Sequence, residues 1–193
     1  MAEALNLVLI SGSVRPFSFT RALTLHMMAQ LENYGASCEH WDPGNETIPL
    51  YDPEYHHSPD KNPHPWARRF SEAAASADGF VFASPIYHNS CSGLLKMMID
   101  HLAIAQVQYK PVALISHGGN RSTQAVDQLR IVARGLLGIA IPAQVCSAEQ
   151  DFSMKVGTGP ELVATDIIQR IGRASAELIA FAKLLRPLRS PIR

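Results

Sequence analysis

The first part of the chain that could do chemistry is a cluster of hydroxyl side chains around one glycine and one arginine. Its members are Ser11, Gly12, Ser13, Arg15, Ser18 and Thr20. The glycine lets backbone N–H groups approach an anion, and the hydroxyls and the guanidinium donate hydrogen bonds to it. The helix that follows adds unpaired N–H groups and the positive end of its dipole. The cluster predicts a phosphate-binding loop; the alternative is that Ser18 or Thr20 only caps the helix while Arg15 is solvated.

Two common nucleotide motifs are missing from this loop. No Gly-Lys-Ser/Thr follows Gly12 at the spacing of a Walker A motif, and the G-x-G-x-x-G of dinucleotide-binding folds is absent. A single terminal phosphate held by hydroxyls and amides fits better, and flavodoxin-like folds bind FMN at this turn.

Two later loops carry residues suited to an aromatic ligand. In the first, Pro85 stiffens the chain, and Ile86 and Tyr87 offer flat apolar surface. Backbone groups of residues 87–90 can bond the polar edge of a ring, which suits an isoalloxazine. In the second loop, residues 117–119, two glycines permit close backbone approach. Taken alone, residues 85–87 are explained better by a turn that packs Tyr87.

Two other kinds of site fit the sequence poorly. Cys91 lies near a predicted helix start, but a cysteine-dependent phosphatase needs an arginine six residues later, and that residue is Met97. The histidines His56, His57 and His64 lack a carboxylate or cysteine that would complete a recognisable metal-ligand pattern. The sequence therefore predicts no catalytic side chain and no metal site.

The elements that must position these residues follow from hydrophobic periodicity and from chain breakers. Apolar runs predict strands at residues 5–10, 36–41, 80–83, 111–116 and within 139–146. Helical spacing predicts helices at residues 20–34, 65–75, 91–100, 121–137 and 160–185. This alternation predicts an α/β fold, a doubly wound five-stranded parallel sheet with helices on both faces. In the flavodoxin-like order 2-1-3-4-5, the loops at Gly12, Tyr87 and His117 meet at one crevice.

Residues 42–65 interrupt this alternation. Repeated prolines leave no room there for a regular element of ordinary length. Because the segment also carries Ile48, Leu50 and Tyr51, we expect it to pack, either walling a pocket or meeting a second subunit. The length of the chain predicts a single flavodoxin-like domain over residues 1–185, followed by a loose tail at residues 186–193.

Composition narrows the class of protein. Lys plus Arg number 17 and Asp plus Glu number 17, so the formal net charge is zero and no nucleic-acid partner is indicated. The sequence has no signal-peptide pattern and no run of eighteen apolar residues. The cysteines Cys38, Cys91 and Cys146 are widely spaced, which is typical of reduced thiols. We expect a cytoplasmic protein without a membrane partner.

Taken in order, the motifs resemble those of the NADPH-dependent FMN reductase family. The first is Ser-Gly-Ser-Val-Arg at residues 11–15 with Ser-Phe-Thr at 18–20; the second is Ser-Pro-Ile-Tyr at 84–87, leading to Ser-Gly-Leu-Leu-Lys at 92–96. The resemblance implies a set of FMN-binding residues. The phosphate would be held by Ser11, Ser13, Arg15, Ser18, Phe19 and Thr20, the isoalloxazine by Pro85, Ile86, Tyr87, His88, Asn89 and Ser90, and the ribityl chain and ring by His117, Gly118 and Gly119.

The resemblance also implies hydride transfer from NADPH or NADH to FMN and on to an acceptor, with no protein nucleophile required. The acceptor is a flavin or, in a close variant, a quinone or an azo compound. The family implies a homodimer or homotetramer, with residues 48–52 near the interface, and Arg121 is a candidate for the 2′-phosphate of NADPH. Competing hypotheses are a flavin-binding regulator and a flavodoxin-like electron carrier, although such carriers are usually acidic.

Overall fold

The computed structural model describes residues 4–189. Its strands are β1 (Asn6–Ser11), β2 (Ser37–Trp41), β3 (Gly79–Tyr87), β4 (Ser90–Cys91), β5 (Pro111–His117), β6 (Ile139–Ser147), β7 (Phe152–Lys155) and β8 (Gly159–Leu162). Its α-helices are α1 (Phe19–Asn33), α2 (Pro65–Ser76), α3 (Gly93–Asp100), α4 (Ile104–Val107), α5 (Gln124–Gly135) and α6 (Thr165–Leu185).

Five strands form a parallel sheet in the order β2-β1-β3-β5-β6. Counted along the chain, these are predicted strands one to five in the order 2-1-3-4-5. The fold class expected from the sequence, a flavodoxin-like doubly wound sheet, is confirmed. The strand order reverses between β1 and β3, so the loops that follow these two strands flank the crevice where such folds bind ligands.

Both faces of the sheet are buried, which is why its central strands are apolar without interruption. On one face, Leu7 and Leu9 pack with α1 and α6. On the other face, Val8 and Ile10 join Phe80 and Phe82 and pack with α2, α3 and α5. Helix α1 ends before Gly35, whose φ of +81° is the left-handed conformation that the predicted stop requires.

The chain after β3 differs from the prediction of an irregular loop from residue 84. The strand continues to Tyr87 and turns back into β4, with Ile86 opposite Cys91 and Tyr87 opposite Ser90. The two turn residues, His88 and Asn89, both have positive φ, at 48° and 64°. This is the geometry of a tight two-residue hairpin, which is usually marked by Asn-Gly and was therefore not recognised.

A second hairpin, β7–β8, was missed completely. The predicted helix over residues 160–185 begins only at Thr165, because Pro160 and Glu161 pair with β7 instead. A proline is acceptable near a helix start and also in a short edge strand such as β8, so the sequence did not distinguish the two structures.

Helix α5 also starts later than the predicted residue 121. Residues 118–121 all have positive φ, and the N–H of Ser122 donates to the carbonyl oxygen of Gly119 at 3.1 Å. A run of left-handed residues cannot belong to a right-handed helix, so α5 begins at Gln124.

The proline-rich segment, residues 42–65, contains two three-residue 3-10 turns, Pro53–Tyr55 and Pro59–Lys61. It packs as expected, since the Pro49 carbonyl oxygen lies 3.1 Å from Nε2 of His101. Of the expected tail, residues 186–189 form a 3-10 turn in which Arg186 pairs with Asp78 at 3.3 Å. Residues 190–193 lie outside the described part of the chain.

In the described part of the chain, no helix is both long enough and apolar enough to cross a bilayer. Over the same residues, no group of three or more histidine, cysteine or acidic side chains is placed to hold a metal ion.

Candidate functional site

The loop between β1 and α1, residues 12–18, is called the phosphate loop below. It leaves the sheet against β3, where the N–H of Gly12 donates to the carbonyl oxygen of Ala83 at 2.8 Å. The hydroxyl of Ser92 donates to the carbonyl oxygen of Gly12 at 2.7 Å. A Cβ at residue 12 would lie 2.6 Å from Cβ of Leu95. Only glycine fits at this crossing, so the loop is held close to α3.

The hydroxyls of the phosphate loop gather at the start of α1. Ser18 caps the helix, with its Oγ accepting from the N–H of Arg21 at 3.1 Å. The Ser13 Oγ lies 3.4 Å from the backbone nitrogen of Arg15. A hydroxyl that accepts one bond can still donate its own proton, so Ser13 and Ser18, although buried, each keep one donor for an anion. Thr20 is buried in the first helical turn.

Arg15 is the exposed cation of the phosphate loop. Among residues 4–189, no carboxylate pairs with its guanidinium. The Arg15 charge helps to lower the pKa of His117, so the two side chains are close enough to interact electrostatically. An unpaired guanidinium beside serine hydroxyls and a helix N-terminus is a donor set suited to a phosphate dianion.

Ser11 does not join the other hydroxyls. It is fully buried below the phosphate loop, where its Oγ lies 3.1 Å from Oγ1 of Thr24 and 2.7 Å from Nε2 of His40. Burial lowers the pKa of His40. Because both contacts of Ser11 are internal, the structure gives this residue a supporting position beneath the loop.

The β3–β4 hairpin places the predicted ring-binding residues beside the phosphate loop. Pro85 is buried, and its carbonyl oxygen accepts from Oγ of Ser84 at 2.7 Å. Tyr87 is 45% exposed, so its ring is free to face a ligand. His88 and Asn89 form the exposed turn. Ser90 is half-buried and returns the chain towards α3.

The third loop, residues 117–121, is called the glycine loop. Its Gly118 N–H donates to the carbonyl oxygen of Ser147 at 2.9 Å, which anchors the loop to the end of β6. Gly118 and Gly119 have φ angles of 123° and 54°. The first of these angles lies outside the left-handed region that other residues tolerate, so a glycine is required at 118.

Contacts show that the three loops converge. The rings of Phe19 and His117 stack with centroids 4.5 Å apart and planes 16° apart. This contact joins the start of α1, directly after the phosphate loop, to the glycine loop. A Cβ at Gly118 would lie 3.5 Å from Cβ of Ile86, which joins the glycine loop to the β3–β4 hairpin. The crevice expected from the strand order therefore brings together residues that are about a hundred positions apart in the chain.

His117 is held neutral in this crevice. Burial lowers the pKa of His117 from 6.5 to about 4; Asp151 opposes this shift, and Arg15 adds to it. Its Nδ1 lies 3.0 Å from Oγ of Ser147. At neutral pH an uncharged imidazole can stack on Phe19 and line a ligand without adding charge.

Arg121 lies at the end of the glycine loop but is not available to a 2′-phosphate. Its guanidinium pairs with the buried carboxylate of Asp151 and with Asp166 at 2.6 Å. Hydrogen bonds to Asp151 and then to Asp166 raise the pKa of Arg121 above its ordinary value. Both carboxylates already neutralise this guanidinium, so the structure gives no support to Arg121 as a partner of a 2′-phosphate.

Several residues that contact the site were not predicted as site residues from the sequence. Ser92, Ser147 and Phe152 contact site residues, and Arg21 and Asp42 form an ion pair against the phosphate loop. The Asp-Pro-Gly stretch at residues 42–44 predicted only a turn. No local pattern marks a contact between residues 21 and 42. The sequence therefore gave no signal for this ion pair.

Comparison with known proteins agrees with this geometry. The family model of NADPH-dependent FMN reductases matches residues 5–152 of this chain, from the first strand of the sheet to the start of β7. The chain belongs to the NADPH-dependent FMN reductase family. A protein of this family is an NAD(P)H-dependent flavin oxidoreductase, and FMN and NAD(P)H are its cofactor and co-substrate.

Two relatives of this FMN reductase are similar over most of their length. An FMN-dependent NADPH-azoreductase of Staphylococcus saprophyticus is 32% identical over 91% of this chain and 94% of the relative. An FMN-dependent NADPH-azoreductase of Staphylococcus haemolyticus is 33% identical over 76% of this chain and 78% of the relative. The structure of an oxidoreductase from Corynebacterium diphtheriae shares the fold, with a TM-score of 0.71, 21% identity and coverage of 94% and 98%.

Proposed function

We propose that this FMN reductase holds FMN in the crevice between its three loops and passes reducing equivalents from NADPH to an azo compound. The observation that carries the proposal is the convergence of the phosphate loop, the β3–β4 hairpin and the glycine loop. The choice of an azo acceptor is supported by the two staphylococcal relatives. Free flavin and quinones are the competing acceptors.

The proposed contacts follow from where each group lies. Ser13, Arg15, Ser18 and the start of α1 at Phe19 and Thr20 would hold the phosphate, while buried Ser11 supports the loop from below. Residues 85–90 would hold the isoalloxazine against Tyr87. His117, Gly118 and Gly119 would line the ribityl chain and the ring. The same proposal treats residues 1–185 as one FMN-binding domain.

The bound flavin supplies the hydride chemistry, so the protein side chains need only bind and orient the reactants. Ser13 and Arg15 fix the phosphate end, and the exposed ring of Tyr87 leaves apolar surface for a planar partner. Neutral His117 adds no charge beside the ring. Cys91 is half-buried in β4 and packs against the core, which supports a structural position for this thiol.

An anaerobic titration of the FMN-loaded protein with NADPH tests the proposal. We expect the absorbance of oxidised flavin to bleach with one equivalent of NADPH and to return when an azo dye is added. Recovery with free flavin or quinone but not with the dye would replace the proposed acceptor. No bleaching with either NADPH or NADH would contradict the proposed reaction and favour a carrier or a regulator.

We also propose that the chain forms a homo-oligomer through the face around Tyr51. A groove of about 280 Å³ lies there between α3 and α5 and is lined by Ile99 and Leu136 among others. Leu50 beside it is 82% exposed. Light scattering of the intact protein and of L50K separates this face from others, since a monomeric L50K supports it and an unchanged assembly refutes it.

A cytoplasmic location completes the proposal. The three cysteines are free thiols in the structure, which is typical of proteins from a reducing compartment. Fractionation of the source cells with antibody detection is the corresponding test.

A further inference from the structure

The outer side of the phosphate loop is held by a single arginine from α1. Nη1 of Arg21 donates to the carbonyl oxygen of Arg15 at 2.9 Å and to that of Pro16 at 3.0 Å. Nη2 of the same guanidinium donates to Oδ1 of Asp42 at 3.0 Å, and Nε donates to the other carboxylate oxygen. Most of the donors of one rigid fork are therefore in use, on two different segments of the chain.

Asp42 fixes the other end of this contact. It directly follows β2, and its side chain is only 3% exposed. Its Oδ1 also accepts from the N–H of Gly44 at 2.9 Å. Because the carboxylate is buried and bonded on both sides, it gives Arg21 a fixed position relative to the sheet.

Gly44 makes room for the guanidinium. A Cβ at residue 44 would lie 2.3 Å from Nη2 of Arg21, which is far too close. The backbone of Gly44 does not need the left-handed conformation, so the requirement for glycine at this position is one of space. Arg21, Asp42 and Gly44 therefore form one assembly, called the loop clamp.

The loop clamp determines which way the peptide groups of the phosphate loop point. A trans peptide directs its C=O and its N–H to opposite sides, and the described residues contain no cis peptide bond. Since the Pro16 carbonyl is bonded outward to Arg21, the N–H of Phe17 is directed to the opposite side. The clamp also holds the carbonyl oxygens of residues 15 and 16 outside, where they do not repel an anion.

Arg21 and Arg15 thus have different positions in the same loop. The charge of Arg21 is neutralised by Asp42, and its donors are occupied, so it is not placed to bind a phosphate itself. Within the described residues 4–189, Arg15 has no such partner. We propose that the loop clamp positions the phosphate loop, so that the N–H of Phe17 and the Arg15 side chain are oriented for the FMN phosphate before FMN arrives.

This inference rests on the proposed FMN site and predicts an effect specific to the phosphate group. Riboflavin has the same ring and ribityl chain but no phosphate. In R21A, we expect FMN affinity to fall about tenfold to a hundredfold, because a phosphate loop that is no longer held in place forms its own hydrogen bonds to the charged phosphate less well. Riboflavin affinity should change by less than about twofold, within the range of a surface substitution. Quenching of flavin fluorescence measures both dissociation constants.

G44A is the second variant, because it keeps both charged partners. The new methyl group should displace the guanidinium and produce the same selective loss of FMN affinity. R69A is the matched control. Arg69 also pairs with a carboxylate, that of Glu46, and lies 5.8 Å from the ring centre of Trp41; within residues 4–189, no hydrogen bond or ion pair joins it to the phosphate loop. R69A should bind both flavins as the wild type does.

Amide hydrogen exchange in the flavin-free protein gives an independent measurement. Exchange of residues 13–18 should be faster in G44A and R21A than in R69A. Equal losses of FMN and riboflavin affinity, or unchanged exchange in the loop, would overturn the loop clamp and leave a purely structural ion pair. If the wild-type protein bound neither flavin, the proposed FMN site would fail and the clamp with it.

Discussion

Helices α1 and α3 begin in almost the same way, yet only α1 is open to a ligand. Each helix follows a central strand and is capped by a serine, Ser18 or Ser92, whose Oγ lies 3.1 Å from the backbone nitrogen three residues later. At α3, the Ser92 hydroxyl also donates to the carbonyl oxygen of Gly12. Its N–H donates to Oγ of Ser84 at 2.8 Å. The start of α3 is therefore filled by the protein itself.

The charged residues beside the two helices show the same difference. Arg15 near α1 has no carboxylate partner within residues 4–189, whereas Lys96 in α3 pairs with Asp100 at 2.6 Å. We therefore propose the anion site at the start of α1, where the preceding loop stays open and an unpaired cation lies nearby. Identical capping chemistry is not sufficient.

The largest expected effect comes from forcing the phosphate loop and the start of α3 apart. In G12A, the new methyl group would collide with Leu95 and Ser92, and we expect unfolding free energy to fall by about 2–3 kcal/mol from overpacking. Gly93 at the start of α3 has open space around it, so G93A should be neutral or stabilising by up to about 1 kcal/mol. Urea unfolding measures both; equal effects would contradict the close crossing at Gly12.

Removing Arg15 beside α1, or Lys96 in α3, tests which helix start binds the phosphate. R15A should weaken FMN binding about tenfold or more, because a hydrogen bond to a charged group is lost. Stability should not change, since Arg15 is exposed. K96A is the control and should leave FMN affinity as it is. Unchanged affinity in R15A, measured by fluorescence quenching, would remove Arg15 from the phosphate site.

Removing the serine caps separates stability from binding. S18A and S92A should each lose about 1 kcal/mol from the missing cap. S92A should lose about 1 kcal/mol more, because its bond to Gly12 is also removed. Only S18A should weaken FMN binding directly. A larger loss of FMN affinity in S92A than in S18A would show that the two helix starts are not as different as the structure indicates.

His117 predicts the pH dependence of the contact between the phosphate loop and the glycine loop. Because burial lowers its pKa in the folded protein, the unfolded chain takes up the proton first, and stability should fall as pH decreases from 6.5 to about 4. H117F keeps a ring against Phe19 without titrating. Its slope should be smaller, by less than about 1.4 kcal/mol per pH unit, the limit for one proton. Identical slopes would contradict a neutral His117.

The smallest effect is expected at Cys91, just before α3. Its thiol is half-buried against the core and takes no part in the proposed hydride transfer. C91S should therefore retain NADPH oxidation within about twofold, as expected for a substitution away from the site. A loss of several orders of magnitude with FMN still bound would give Cys91 a direct role in turnover.

Local sequence patterns predicted most of the fold correctly. The continuous apolar run of β1 and the stop at Gly35 were readable because burial on both faces and left-handed φ leave clear local signals. The β7–β8 hairpin was not, since residues 160–162 suit a helix start as well as an edge strand. The turn at His88 and Asn89 was missed because it lacks the glycine that usually follows asparagine in a tight hairpin.

For the site, the sequence by itself determined which groups are present: hydroxyls, Arg15 and a glycine at the end of the first strand, and Pro85, Tyr87 and two glycines after later strands. Only the tertiary structure decided how they are used. It closed the start of α3 with Gly12, buried Ser11, neutralised Arg121 and placed Arg21 on the phosphate loop. The first three outcomes depend on partners 13 to 80 positions away along the chain, and Arg21 is held by Asp42, 21 positions away; the packing of the sheet and helices brings these partners together.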